Sequence, residues 1–385
     1  IRTMKILYAV QATGNGHISR ASEILPLLQK YGDVDIMLSG NNAHLPVNLP
    51  VKHKSKGLSL FYQSGGGLHY YRMLKQLNPF RIWNDIKRLP VDQYDLVIND
   101  FDLITAIACK LKGAFSIQFG HQASFNYSET PRPTKKSMIG EWVLKNFAPA
   151  KLNIGLHFKP YHPNILPPII KEHIRQAQPS NQGHITIYLA QYGHEEIYKQ
   201  VKSLSHLKFH IFSSGIKEKK TVHNCLFFPL GKECFSHSMI HAKGIITGGG
   251  FETPAEALYL GKKVMVIPIK GQYEQDCNAA ALQEFGAEVI NEIDIHFGAT
   301  VDRFFHESRE TAQRHFQDFT NEEIVDQFMS IAMQALNTHK NQVLRNHQIQ
   351  LPKTHQETPL PEATAFDGLM NTNFPSASSA INIMP

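Results

Sequence analysis

Cysteine is scarce in this chain. Only four occur in 385 residues, Cys109, Cys225, Cys234 and Cys277, and they stand far apart. None pairs at metal-ligand spacing, so no metal site is expected, and a reduced, cytoplasmic compartment fits. No apolar stretch is long enough to span a bilayer, so any membrane contact is peripheral, at most at the inner face. No secretory leader is read, because Met4 runs straight into the strand-like residues 5–10 (KILYAV); residues 1–3 carry no structural weight. A dense Lys/Arg stripe with interleaved aromatics is also missing. The formal net charge of +6 suits anionic substrates or an acidic membrane surface without calling for nucleic acid.

What is present is enough for two cores. Hydrophobic residues make up 42% and charged residues 19%, too balanced for a largely disordered chain. Short apolar runs alternate with helical patterns. Strands are predicted over 5–10, 34–39, 94–99 and 114–119, with helices over 19–30 and 106–112 between them. Such alternation indicates a parallel sheet covered on both faces. The pattern weakens over 120–163, where few strands are clear. Pro160, Pro163, Pro167 and Pro168 then punctuate a linker, placed at 161–183. A second alternation follows, with strands over 185–190, 208–213, 225–229, 244–247 and 263–268. Helices are read over 195–204, 253–260, 275–285 and 321–337. The expected organisation is a first domain over 4–160, a second over 184–338 and a disordered tail over 339–385.

The most informative segment is 247–279, TGGGFETPAEALYLGKKVMVIPIKGQYEQDCNA. Gly248, Gly249 and Gly250 follow a strand and remove side chains, so that backbone can approach a ligand. A helix then opens near Thr253, with Pro254 suited to its first turn. A glycine-rich turn feeding a helix N-terminus favours an anion, although a plain strand-to-helix turn has the same glycines. Glu256 falls about one turn in, where a carboxylate can accept from two ribose hydroxyls. The ordinary fate of a helical Glu is solvent. Glu274, Gln275, Asn278 and Ala279 follow the next strand, at the mouth of an open sheet.

Gly-Gly, Glu, Pro, an acid-Gln pair and Asn-Ala in this order resemble the donor signature of UDP-sugar transferases. The segment is similar to the UDP-glucuronosyltransferase superfamily and to the peptidoglycan-precursor N-acetylglucosaminyltransferases. That resemblance implies an α/β fold of two Rossmann-like domains facing each other across a cleft, the GT-B glycosyltransferase architecture. It implies Gly249 and Gly250 at a diphosphate, Glu256 on the ribose, and Glu274 and Gln275 on sugar hydroxyls. The loop Gln191-Tyr192-Gly193-His194 would bring Gly193 to the same diphosphate, and the base would lie near 228–230.

In the first half, Gly14-Asn15-Gly16-His17 follows the opening strand. The third glycine of a dinucleotide fingerprint is absent, since position 19 is Ser, which weakens an oxidoreductase reading. Gly16 lets backbone reach the cleft. His17 matches the histidine that acts as base in the resembled superfamily, and Asp100, ending a central strand, is its expected partner. Asp100 and Asp102 form D-x-D, a pattern common by chance, and a metal is not expected. His121 and Gln122 are weaker candidates for the acceptor. Residues 65–89 mix aromatics with Arg and Lys and suit either an anionic membrane surface or an ordinary covering helix. Residues 125–147 are a candidate acceptor loop.

The expected activity is an inverting, metal-independent transfer of a hexose-type sugar from a UDP-sugar, with no cofactor, to a lipid-linked or glycan acceptor. A nucleotide-sugar epimerase and a non-catalytic nucleotide-sugar-binding subunit share the architecture and remain alternatives.

Overall fold

The computed structural model describes residues 3–12, 15–40, 49–57, 62–63, 67–68, 78–307 and 318–350. Two seven-stranded sheets dominate it. Across the first sheet the strands run Val51–Ser55, Asp33–Ser39, Lys5–Gln11, Leu96–Asp100, Ser116–Gly120, Leu152–Leu156, Ile165–Leu166, all parallel. Across the second they run Lys220–Val222, Cys225–Pro229, Lys208–Ser213, His184–Tyr188, Gly244–Thr247, Lys263–Val266, Glu288–Val289. The edge strand Lys220–Val222 alone is antiparallel in that sheet. In each sheet the order reverses beside the first strand of the half. That reversal leaves a crevice at the strands' carboxyl ends, where open sheets of this kind bind ligands.

The opening strand shows why the pattern reads as parallel sheet. Every residue from Ile6 to Gln11 is buried. Ile6, Tyr8 and Val10 join one apolar cluster, while Leu7 and Ala9 join another on the opposite face. A period of two with both faces covered requires an unbroken apolar run rather than alternation. The first of these clusters continues through Phe158 and Phe251 to Val264, Val266 and Leu282 of the second half. The halves therefore share packed core as well as a cleft.

Three expectations change. The segment 161–183 is not a free tether: Ile165–Leu166 completes the first sheet, and Asn321 clamps Ile170 by accepting from its N–H at 3.1 Å and donating to its carbonyl at 2.7 Å. The strand Leu152–Leu156 lies in the stretch where few strands were legible; its Asn153 and Gly155 break the β-branched signature. The last helix, Asn321–Gln350, runs past His339, so residues 340–350 are helical rather than aperiodic tail. That helix returns to the first half, where Phe328 stacks on Phe119 with centroids 3.9 Å apart and Tyr31 donates to Asp326 at 2.6 Å. Residues 351–385 lie outside the described residues, as does most of 65–77. Of the former basic-aromatic stretch, Pro79–Arg88 is helical, capped by Asn78 accepting from the Arg81 N–H, with Phe80 exposed.

Candidate active site

The first half concentrates charge at its strand reversal. Residues 15 and 16, expected in a loop, begin the helix Asn15–Leu28, so His17 projects from its first turn. Asp100 ends the neighbouring strand and is fully buried, opposite Val10 in the ladder. His17 Nδ1 lies 3.0 Å from Asp100 Oδ1, which assigns the proton to Nδ1 and leaves Nε2 as the basic nitrogen. Arg20, one helical turn on from His17, donates to Asp100 from Nε at 3.2 Å and from Nη2 at 2.8 Å to each oxygen. Its Nη2 also lies 3.1 Å from His17 Nδ1.

Burial acts against charge on the His17 ring, but the Asp100 carboxylate outweighs it, and the pKa rises above the ordinary histidine value. Burial likewise opposes ionisation of Asp100; Arg20 and His17 more than offset it and hold the carboxyl below its usual range.

The D-x-D pair is split by geometry. Phe101 adopts a left-handed conformation with φ 58°, unusual for a bulky residue. Beyond that reversal Asp102 caps the helix Leu103–Lys112 by accepting from Thr105 N–H at 2.7 Å, and it accepts from the Ser39 hydroxyl. The two carboxylates thus serve different partners. Among the described residues, no group of three or more His, Cys, Asp and Glu side chains could hold a metal ion.

The second half offers backbone. The helix Glu252–Tyr259 follows the glycines and begins one residue before the expected Thr253, which sits in its first turn. The three glycines differ. A Cβ at Gly249 would meet the Gln275 carbonyl oxygen at 2.8 Å, so packing alone demands glycine there. Gly250 has nothing within 4 Å of the added atom, and Gly248 only ordinary contacts, which leaves room for a ligand. Gly193 opens the helix His194–Val201 and is similarly open.

Glu256 is buried rather than solvated and pairs with Lys171 of the connecting segment at 2.8 Å. Burial pushes its carboxyl above the usual range, with Lys171 opposing. Gln275, expected to read sugar hydroxyls, is tied to the loop: Oε1 accepts from Gly249 N–H at 3.1 Å and Ile269 N–H at 2.9 Å, and Nε2 donates to Gln272 at 2.7 Å. Its amide closes the glycine turn onto the next loop, because those N–H groups have no ladder partner there.

His121 and Gln122, expected to line an acceptor site, lie in the seam between the halves. His121 stacks on Phe251 with centroids 3.9 Å apart. Its Nδ1 and Nε2 lie 2.9 Å from the Leu156 carbonyl and 2.6 Å from Asn278 Oδ1. Burial depresses its pKa. Gln122 Nε2 donates to both Glu274 oxygens at 3.1 Å. These residues fasten the acid-Gln segment to the first half.

Sequence reasoning passed over Arg20, Glu252, Lys171 and Phe251. Arg20 had a usable signal, since positions 17 and 20 share a helix face once the helix starts at Asn15. Glu252 and Lys171 had none, because their partners are 232 and 85 positions away in the chain.

The likeness to known proteins follows this geometry. The solved structure of Spinosyn Forosaminyltransferase SpnP superposes with a TM-score of 0.55 at 12% identity, over 86% of this chain and 100% of that one. Phytolacca americana UGT2, complexed with UDP-2fluoro-glucose and pterostilbene, gives 0.57 at 13% identity, over 87% and 99%. CalG4, the Calicheamicin Glycosyltransferase, gives 0.52 at 12%, over 85% and 95%. At these identities the likeness establishes the fold, two Rossmann-like domains in the GT-B arrangement. No curated protein sequence matches the chain. The family description Glycosyl transferase family 1 matches residues 4–307, most of the chain and both halves of the site, and the protein belongs to that family.

Proposed function

We propose that this glycosyltransferase moves a hexose-type sugar from a UDP-sugar to a lipid-linked or glycan acceptor, with inversion and without a metal. The observation that carries the reading is the His17 Nδ1 contact to Asp100, 3.0 Å, which leaves Nε2 as a base on the helix whose Arg20 meets Glu252 of the other half. In this mechanism Nε2 takes the acceptor hydroxyl proton as the oxygen attacks the anomeric carbon. The bond from that carbon to the diphosphate oxygen breaks, and the electron pair leaves with UDP. The N–H groups at the start of Glu252–Tyr259 stabilise the departing charge. Glu256 holds the ribose, sharing its carboxylate with Lys171. Metal independence is supported by Asp100 and Asp102 being committed to Arg20, His17 and a helix cap.

A lipid-linked acceptor is supported by the helix Met138–Asn146. It exposes Met138 (87%), Ile139 (76%) and Trp142 (63%) beside Lys135, Lys136 and Lys145. An apolar strip flanked by lysines suits an anionic membrane surface. Among the described residues no helix is long and apolar enough to cross a membrane.

The test is incubation with UDP-sugars alone, then with lipid or glycan extracts, each with and without EDTA. Acceptor-dependent UDP release that survives EDTA is expected. Interconversion of the sugar without acceptor would replace transfer by epimerisation, and complete loss in EDTA restored by manganese would remove the metal-independent part.

A further inference from the structure

We propose that Arg20 is a positioning residue that sets the basicity of His17, and that Glu252 of the second half governs Arg20 in turn. The proposal rests on the reading of His17 as base.

The charged groups around the His17 ring come from four elements. Asp100 approaches from the strand Leu96–Asp100 at 3.0 Å, and Arg20 from the ring's own helix at 3.1 Å. Glu252 reaches across from the first turn of Glu252–Tyr259, where it accepts from Arg20 Nη1. Tyr8, on the opening strand, is fully buried near the same charges, and its hydroxyl has no hydrogen-bond partner. The Arg20 side chain is 2% exposed, so little water screens it. Gly16 is the residue that lets Glu252 in: a Cβ there would sit 2.5 Å from Glu252 Oε2. The helix therefore accepts glycine at some cost in propensity, in its first turn and next to the base, where the other half's carboxylate must approach.

The physical consequence has a sign. Burial disfavours the imidazolium and the Asp100 carboxylate favours it, and the more the carboxylate prevails, the less of the neutral, base-competent ring remains near pH 7. The guanidinium opposes this, because a second cation 3.1 Å from Nδ1 disfavours the imidazolium. Its planar fork also contacts both Asp100 oxygens. Glu252 partly neutralises Arg20 and so returns some basicity to His17. Because Glu252 belongs to the donor half, the strength of the base depends on how that half meets the first.

The experiment is titration of the His17 ring by NMR in protein labelled at histidine Cε1, the signal assigned by its loss in His17→Gln. No substrate is needed. Arg20→Gln should raise the His17 midpoint by about one pH unit and Glu252→Gln should lower it by about half a unit, within the usual reach of a single close charge. Arg20→Lys keeps the charge and should stay within about 0.3 unit of wild type. If Arg20→Gln does not fold, the other two variants carry the test. A mere strut would lower the melting temperature without moving the midpoint in opposite directions. Midpoint changes of the same sign in Arg20→Gln and Glu252→Gln, or no change in either, overturn the proposal. Failure of the base reading looks different: His17→Ala would keep near-normal turnover while the midpoint shifts persisted.

Discussion

The two halves share one strand order, reversing beside the first strand, yet they furnish their crevices in opposite ways. The first half places buried ionisable side chains there: His17, Arg20 and Asp100 lie within 3.2 Å of one another. The second places glycines and open helix starts there, and its Glu256 is buried and paired with Lys171. A sheet of this topology offers the same position twice. One copy can be filled with groups that exchange protons, and the other with fixed dipoles that tolerate charge without titrating. On the proposed mechanism the first half carries the proton chemistry and the second the binding, and variants in each half can break that division.

The largest effect is expected at His17. His17→Ala should lower turnover by about 10²–10⁴, the usual worth of a general base, while donor affinity barely changes. Asp100→Asn should act in the same direction but less, since the amide oxygen can still accept from Nδ1–H. Single-turnover rate and donor dissociation constant, measured on one preparation, check both. A loss of donor affinity equal to the loss of rate would erase the division between the halves.

Glu256 comes next. Glu256→Ala should weaken UDP by about 1.5–3 kcal/mol, the range for hydrogen bonds to a charged group. It also leaves Lys171 unpaired, so the melting temperature should fall as well. Lys171→Met separates the two roles: it should lower stability while UDP affinity, read by calorimetry, holds. If the Lys171 variant loses UDP as fully as the Glu256 variant, the ion pair rather than the ribose contact explains the effect.

The glycines give a smaller and cleaner contrast. Gly249→Ala should cost about 1–3 kcal/mol of stability, because its Cβ would press on the Gln275 backbone. Gly250→Ala has open space around the added atom and should leave the melting temperature near wild type while weakening UDP or pyrophosphate. Equal destabilisation in thermal unfolding would show that the turn, not a ligand, selects glycine at 250.

These contrasts mark what could be read from the sequence. The Rossmann-like alternation, the glycine turn and the His17–Asp100 pair were legible because each rests on local pattern or on a strand end. Leu152–Leu156 was missed because Asn153 and Gly155 are poor strand formers, held in place by neighbouring strands on both sides. The loop-closing bonds of Gln275 were not legible because a polar side chain after a strand looks the same whether it faces a sugar or closes a loop; its Oε1 accepts from two backbone N–H groups. The place of His121, a weaker acceptor candidate, in the seam was not legible because its stack on Phe251 joins positions 130 apart. The last helix was legible as an element, but its apolar stripe at 324, 325, 328, 329, 332 and 336 predicts a buried face and not which sheet it covers.

The smallest expected effect is on stability against pH, and it sharpens the comparison between dyad and seam. His157 lies in the seam, its Nδ1 accepting from Phe158 N–H at 2.9 Å and its Nε2 buried without a partner. Burial, with His121 and Arg132 adding to it, holds its pKa well below the ordinary value. His121 is depressed by burial too, and His210 is pushed down to about 4, again chiefly by burial. A histidine depressed in the folded state binds fewer protons there than in the unfolded chain. Its contribution is complete above about pH 6.5 and is lost as pH falls from there through the folded value. His17 has the opposite sign. Its folded pKa is raised, so its contribution is complete below about pH 6.5 and is lost as pH rises through the folded value. Melting temperatures of wild type, His157→Asn and His17→Gln between pH 8 and pH 5 should therefore diverge in opposite directions. The gap between wild type and His157→Asn should narrow on acidification, and the gap to His17→Gln should widen, each by about 1–3 °C. Parallel curves would mean that neither ring changes its proton affinity on folding. Two gaps that both narrow would place His17 among the buried neutral histidines and remove the charge pairing from which the first half's chemistry is argued.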